Sequence, residues 1–537
     1  MLISNRPRSC SGEVGLAAIP SIILFVGAVL LWALRRRREA PLWAVSSALG
    51  AVTWLVCLGL STSLGSSTSL SVWRPEALFA SRLVLDLDPT GWQMAYAAVT
   101  VFLSLALTQA ARPGATTMGT RVMLPIYVGL SLAAMLAGNL LTVAITWALL
   151  DLLTFVFLMS VTTDEDAIPG IITRLAVDGL SVVIVLGAAV AGRASGQPDT
   201  SFGDISTPFS AGLIATAGLI RLGMFPLHFS LPKLPRARRG LGTLIRLLPP
   251  AVVLAVLARQ FDTGFPVGLV PWLRLAGALG VIVGGFRWSL AVDPIQGRPF
   301  FILAVAGMGV LAASLDPGET GVMLANTGIL ILLVGDAFSL AEIHTPTHRV
   351  WPIAAAVIAV GAPFTPGGVL AGAFSRAIIQ PATTWLGVLG TIGLGSIGIG
   401  MISTAVSPTS KWPVGESLVR VVYGLGIGLP VLVAVGMGAQ TPEATSLGGT
   451  LVFLAAGLAA LAGRYALGRL PHTTREIGKR VAGRLDPNPV YNAGWQIYMG
   501  VLRIVRTLAS PLEGEGAMLW MLVVVILVLL GIGVSPS

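Results

Sequence analysis

Apolar runs of about 19 residues, each closed by a short polar or basic stretch, recur along the chain. Each is long enough to cross a hydrocarbon layer of about 30 Å as a helix. They predict spans near 14–34, 41–64, 91–109, 121–138, 140–160, 169–192, 209–228 and 240–259. The series continues near 265–284, 299–315, 319–340, 350–374, 380–403, 416–438, 447–468 and 517–534. The expected fold class is therefore all-α, a polytopic membrane protein of about sixteen transmembrane helices. The pair across 121–160 is joined by little more than Gly138-Asn139, the mark of a tight helical hairpin. Residues 471–513 differ: Trp495, Tyr498, Val501, Leu502 and Val505 fall at helical spacing among Arg, Lys and Asp. That pattern predicts an amphipathic interfacial helix, with a solvated linker as the alternative because Pro487 and Pro489 interrupt it.

Composition agrees with a bilayer environment. Of 537 residues, 55% are hydrophobic and 11% are charged, less than half the charged fraction of about 25% found in soluble domains. The first span, between Arg8 and Arg35, is long for a signal peptide and lacks a small-residue cleavage site, so it reads as a retained helix. The net charge of +10 is distributed in alternate loops. One side carries Arg35–Arg38, Arg112, Arg121, Lys233, Arg236, Arg238, Arg239, Arg298, Arg349 and Lys411, then the basic stretch after Arg464. The other carries only Arg74, Arg82, Arg193, Arg259 and Arg376, besides Arg6 and Arg8. The positive-inside rule places the first group in the cytoplasm and both termini outside, in a bacterial-type inner or plasma membrane. Basic patches interleaved with stacking aromatics, which nucleic acid requires, are absent.

Two spans contain breaks. Leu219-Ile-Arg-Leu-Gly-Met-Phe-Pro-Leu-His-Phe229 holds Arg221, Pro226 and His228. Gly361-Ala-Pro-Phe-Thr-Pro-Gly-Gly368 holds Pro363, Pro366 and Gly367. Proline removes a donor and frees backbone carbonyls, which a bilayer tolerates only inside protein or beside water. Paired interruptions point to a transport pathway; the alternative is a pair of kinked structural helices. Charged residues inside spans are costly and mark functional positions. They are Asp151, Arg174, Asp178, Arg221, Arg246 and Asp336, with His228 near a span end. Arg174 and Asp178 are four apart and can pair along one helix face. Asp151, Arg221 and Arg246 must find partners across helices. Cys10 and Cys57 have no metal or disulfide spacing, two cysteines cannot hold an iron–sulfur cluster, and Pro346 between His344 and His348 speaks against a helical metal site. No Gly-rich turn follows a strand, and no strands are expected, so no dinucleotide site is foreseen.

Several of these segments resemble the antiporter-like subunits of respiratory complex I and of Mrp-type cation/proton antiporters. Gly138-Asn-Leu-Leu-Thr-Val-Ala-Ile-Thr-Trp-Ala-Leu-Leu-Asp151 is similar to the family's fifth helix, and Ile171-Ile-Thr-Arg-Leu-Ala-Val-Asp178 to its sixth. Phe225-Pro-Leu-His-Phe-Ser-Leu-Pro232 resembles the broken seventh, Thr243-Leu-Ile-Arg246 the eighth and Gly307-Met-Gly309 the tenth. Gly361–Gly367 resembles the broken twelfth, and Leu512-Glu-Gly-Glu-Gly-Ala-Met-Leu-Trp520 the tail of longer members. The resemblance implies two repeats of inverted topology, over 111–260 and 261–405. Flanking them are N-terminal helices in 1–110, C-terminal helices in 406–470, the interfacial segment 471–513 and a final helix in 514–537. It implies a membrane-arm subunit of a complex I-like oxidoreductase moving protons or cations. NADH, quinone and iron–sulfur clusters would then sit only in partner subunits. An antiporter subunit, a non-conducting scaffold and a membrane partner of an ion-driven uptake system are the alternatives.

The relay residues of that family are mostly replaced. The fifth-helix glutamate falls on Ala148, the seventh-helix lysine on Arg221 and the eighth-helix histidine on Arg246. The eleventh-helix lysine falls near Gly328 and the twelfth-helix group near Ala371. Arginine keeps its proton in proteins, so it cannot serve as a relay. Asp151, three residues beyond Ala148 and expected on nearly the same face, is the proposed substitute, paired with Arg221 as a poor proton carrier.

Overall fold

The computed structural model describes residues 15–34, 42–70, 82–111, 118–162, 165–194, 202, 207–224, 241–262, 264–291, 294–340, 348–405 and 417–469, with 496, 499, 500 and 503. The chain divides into two units, Met1–Arg475 and Glu476–Ser537, and nearly all described residues belong to the first. Pro226, His228, the loop cations at 233–239, His344, most of 471–513 and the helix expected at 517–534 lie outside the described residues.

Twelve described helices are long and apolar enough to cross a membrane, and shorter apolar helices accompany them. The protein is an integral, multi-pass membrane protein. In chain order the helices are α1 (Ile19–Leu34), α2 (Leu42–Gly59), α3 (Pro89–Thr108), α4 (Met118–Met135), α5 (Leu140–Val161) and α6 (Ile168–Ala194). Next come α7 (Pro208–Arg221), α8 (Leu241–Gln260), α9 (Val270–Ser289), α10 (Pro294–Leu315) and α11 (Thr320–Leu340). The series ends with α12 (Val350–Ala359), α13 (Pro366–Ile379), α14 (Thr384–Ala405), α15 (Ser417–Gly438) and α16 (Leu447–Arg469). Each span expected between 14 and 468 has a helix, or a helix pair, in its place.

The core is central rather than one-sided. α3, α8, α10 and α11 bury nearly all their residues, whereas α2, α6 and α16 leave most of theirs outward. Exposed Leu447, Leu451, Leu454, Leu458 and Leu461 along α16 suit a lipid-facing surface. Close helix contacts rest on small residues, since apolar burial alone gives helices no reason to associate in lipid. On α9, a Cβ at Gly277 would lie 2.8 Å from the Leu311 backbone nitrogen, and one at Gly284 would lie 2.5 Å from that of Ala304. α9 and α10 therefore pack backbone to backbone.

The absence of strands expected from the sequence is corrected. β1 (Ser66–Leu70) and β2 (Leu83–Leu87) pair antiparallel, Ser66 opposite Leu87 and Leu70 opposite Leu83. The alternation in Leu83-Val-Leu-Asp-Leu87 places Leu85 and Leu87 in the core, and so short a run is hard to tell from a loop between two spans. The sheet also grips the α4–α5 hairpin: Asp86 N donates to Leu136 O (2.7 Å) and Gly138 N to Val84 O (2.8 Å). Asn139 caps α5 through Oδ1, which accepts from Thr142 N (2.9 Å), while its Nδ2 donates to Arg82 O (2.6 Å).

Three cations counted as loop charges are in fact enclosed: Arg121 and Arg298 are buried, and the side chain of Arg259 is 7% exposed. Arg259 reaches from α8 under the sheet, where Nε meets Asp88 Oδ1 at 2.9 Å and Nη1 donates to the carbonyls of Met135 and Ala137. Arg298, in the first turns of α10, is 6% exposed and donates from Nη2 to Ser339 O at 3.1 Å. The hairpin tip, the sheet and the end of α8 thus meet at one end of the bundle, as strict alternation of the spans requires.

Candidate functional site

Both helix interruptions carry the same backbone device. α7 ends at Arg221 and Gly223 takes φ +72°, with Gly223 N donating to Ile220 O (3.0 Å) and Met224 N to Leu219 O (2.9 Å). α12 ends at Ala359 and Gly361 takes φ +106°, with Gly361 N donating to Ile358 O (3.1 Å) and Ala362 N to Val357 O (3.3 Å). This is the Schellman C-cap, which needs a left-handed residue and is commonly followed by proline, here Pro226 and Pro363. The chain resumes at α13, where Thr365 Oγ1 caps Gly368 N at 3.3 Å. Pro366 opens that helix, and a Cβ on Gly367 would fall 2.0 Å from Ile358 O. Phe364, between the halves, holds φ 59°, a strained conformation for an aromatic residue.

The shared cap gives a register. Arg221 stands two residues before its glycine; the same position before Gly361 is Ala359, buried and apolar. The first break has a cation and the second has none.

Arg221 is enclosed by α5 and α6. Its Nη1 and Nη2 meet Asp151 Oδ2 and Oδ1 at 3.0 and 2.5 Å, a bidentate pair. Nη1 also donates to Asp178 O (3.1 Å) and Ser181 Oγ (2.9 Å), and the guanidinium lies 4.3 Å from the Trp147 ring centroid. The two side chains are only 5% and 8% exposed. Both carboxylate oxygens are occupied by a group that does not release its proton. Arg174 pairs with Asp178 along α6 at 3.3 Å, as their spacing implies.

One sequence expectation needs correction. Ala148 faces outward, whereas Asp151 faces the core. Three residues advance a helix by about 300°, leaving a 60° offset that crosses the boundary between faces. Asp151 instead shares its face with Trp147, four residues earlier, which is also buried. Ser181 was also missed; a lone serine in an apolar helix carries no sequence signal.

The second half is built differently. Gly328 is backed by Met94, whose Cε would sit 2.2 Å from an added Cβ, so a longer side chain there requires Met94 to move aside. Ala371 is fully buried. Arg246 lies beside Arg298, Thr243, Gly335, Phe338 and Ser339 around a cavity of about 10 Å³, enough for about one water. Asp336, on α11, is 0% exposed, and neither carboxylate oxygen has a well-formed hydrogen bond or ion pair among the described residues. It does not pair with Arg246. The Ser104 hydroxyl of α3 is within its reach but donates to Gly426 O of α15 at 2.5 Å. Among the described residues no group of three or more His, Cys, Asp or Glu is placed to hold a metal.

Chains of the same fold have been solved in assembled membrane complexes. The chain superposes on one from the membrane-bound sulfane sulfur reductase, an archaeal respiratory membrane complex, with a TM-score of 0.70 and 15% identity. That match covers 96% of this chain and 100% of the other. It also superposes on a chain of the Mrp complex from Dietzia sp. DQ12-45-1b with a TM-score of 0.69 and 15% identity, covering 96% of this chain and 63% of that one. No family model matches the sequence, and no curated protein sequence matches it. The polytopic fold expected from the motifs is one the chain shares with subunits of these two membrane complexes.

Proposed function

We propose that this chain is an antiporter-like membrane subunit of a multi-subunit complex that couples chemistry or a cation gradient to proton movement. In this reading its first half is held by a static ion pair. The observation that supports membership is the likeness of fold over the full length of a chain from a respiratory membrane complex. A membrane-arm role beside redox subunits is favoured over an Mrp-type role, because the Mrp chain is matched over only 63% of its length. Quinone, NADH or iron–sulfur clusters then belong to partner subunits, and both termini lie on the outer side.

A scaffold role has its own support in the bidentate Asp151–Arg221 contact, the apolar Ala359 and the filled space at Gly328. A tag on this chain, used to isolate the assembly from native membranes, discriminates among the readings. Iron–sulfur and quinone-site subunits should copurify. A set of small antiporter subunits without redox centres would replace the respiratory reading with the Mrp one. Proton flux that continues when this subunit is deleted would support the scaffold role.

A further inference from the structure

A carboxyl group inside a membrane protein normally has a partner, because an isolated charge there is expensive. Asp151 and Asp178 have theirs. Asp336 does not, although it is the most thoroughly enclosed of the three. It lies four residues before the end of α11, on a helix that contacts α3, α8, α10, α12, α13 and α15.

The surroundings of Asp336 suit one exchangeable proton. Ser104 Oγ is within reach of the carboxyl and donates its proton to the Gly426 carbonyl at 2.5 Å. That leaves the Ser104 oxygen as an acceptor to which a neutral carboxyl can turn and donate, while Ser104 donates to Gly426. When the carboxyl ionises, the hydroxyl can turn and donate to it instead, since a hydroxyl serves both roles. One turn along α11, Ser339 borders the small cavity shared with Arg246 and Arg298, and Gly335 borders it on the near side. Proton supply from water at that end of α11 has a place to arrive.

The charged and titratable neighbours are few. α8 offers Arg246 and α10 offers Arg298, both at the cavity. Residues 89–108 of α3 contain no charged side chain. α15 offers Arg420 and Tyr423; the latter donates to Leu340 O (2.9 Å) and lies 5.4 Å from the ring of His348, tilted by 60°, and His348 precedes α12. α12 carries no charge, and Arg376 of α13 pairs with Asp316 (2.9 Å) near the opposite end of α11.

We propose that Asp336 is a proton-binding group of this chain, taking and releasing one proton with Ser104 and the Gly426 carbonyl as its hydrogen-bonding relay. The inference rests on the ion-pathway reading for its purpose, but proton binding itself does not depend on which complex holds the chain.

Infrared difference spectroscopy of the purified full-length chain in lipid nanodiscs, stepped in pH, reads this directly. The wild type should give a protonated-carboxyl C=O band that disappears on raising pH. Asp336→Asn should abolish it, Asp336→Glu should keep it at a displaced frequency, and Asp151→Asn should leave it unchanged. Ser104→Ala should move the band to higher frequency, because the acid loses its acceptor. A band that survives in Asp336→Asn, or that vanishes in Asp151→Asn, overturns the assignment. So does a wild type with no band at any pH while its far-UV circular dichroism shows it folded. In Asp336→Asn, loss of the band with proton flux intact in the isolated complex would uphold proton binding and take Asp336 out of the conducting path; a wild type with a normal band and no flux would count against the functional reading alone.

Discussion

The two halves of the bundle handle buried charge in opposite ways. In the first, Asp151 and Arg221 saturate one another and are buttressed by Trp147, Ser181 and the Asp178 carbonyl. In the second, the position equivalent to Arg221 is Ala359, and Asp336 is left beside a hydroxyl already committed to Gly426. A carboxylate clamped by a guanidinium is a structural part. A carboxyl with no countercharge is either a defect or a device, and a defect so central would be readily removed by a single substitution.

Stability measurements separate these roles. The largest effect should come from removing one member of the ion pair. Asp151→Leu or Arg221→Met should destabilise the chain by about 3–5 kcal/mol, seen as a lowered Tm in detergent, because the remaining charge is stranded. The double variant should recover most of that loss, since an apolar pair of similar volume is often neutral. Gly367→Leu comes next, at about 1–3 kcal/mol, because its Cβ meets Ile358 O at the second break. Asp336→Leu should act with the opposite sign, raising stability by about 1–2 kcal/mol, because it removes a fully buried carboxyl that has no countercharge. Arg376→Ala, which opens the part-exposed pair with Asp316, should change Tm least, by under about 1 kcal/mol. If Asp151→Leu and Asp336→Leu shifted Tm in the same direction, the contrast between the halves would be lost.

The spans were legible because the bilayer imposes one length and one composition on each, and the breaks because proline and glycine cannot be disguised. The Asp151–Arg221 contact was legible for a different reason: two opposite charges without local partners leave few alternatives in an apolar interior. The face of α5 was misjudged by a helical offset of about 60°, small in sequence terms but enough to separate Ala148 from Asp151. What could not be read was contact at long range. Ser104 meets Gly426 across 322 residues, and Met94 fills the space at Gly328 from another helix. Neither a serine nor a methionine in an apolar run announces such a role.

Proton flux by the isolated complex in sealed vesicles, comparing wild type with the charge-free Asp151→Leu/Arg221→Met chain, bears most heavily on the reading of the first half. The double variant should assemble and carry protons at the wild-type rate, since nothing in that pair exchanges a proton. An assembled, folded double variant that has lost most of its flux would show that the pair takes part in conduction.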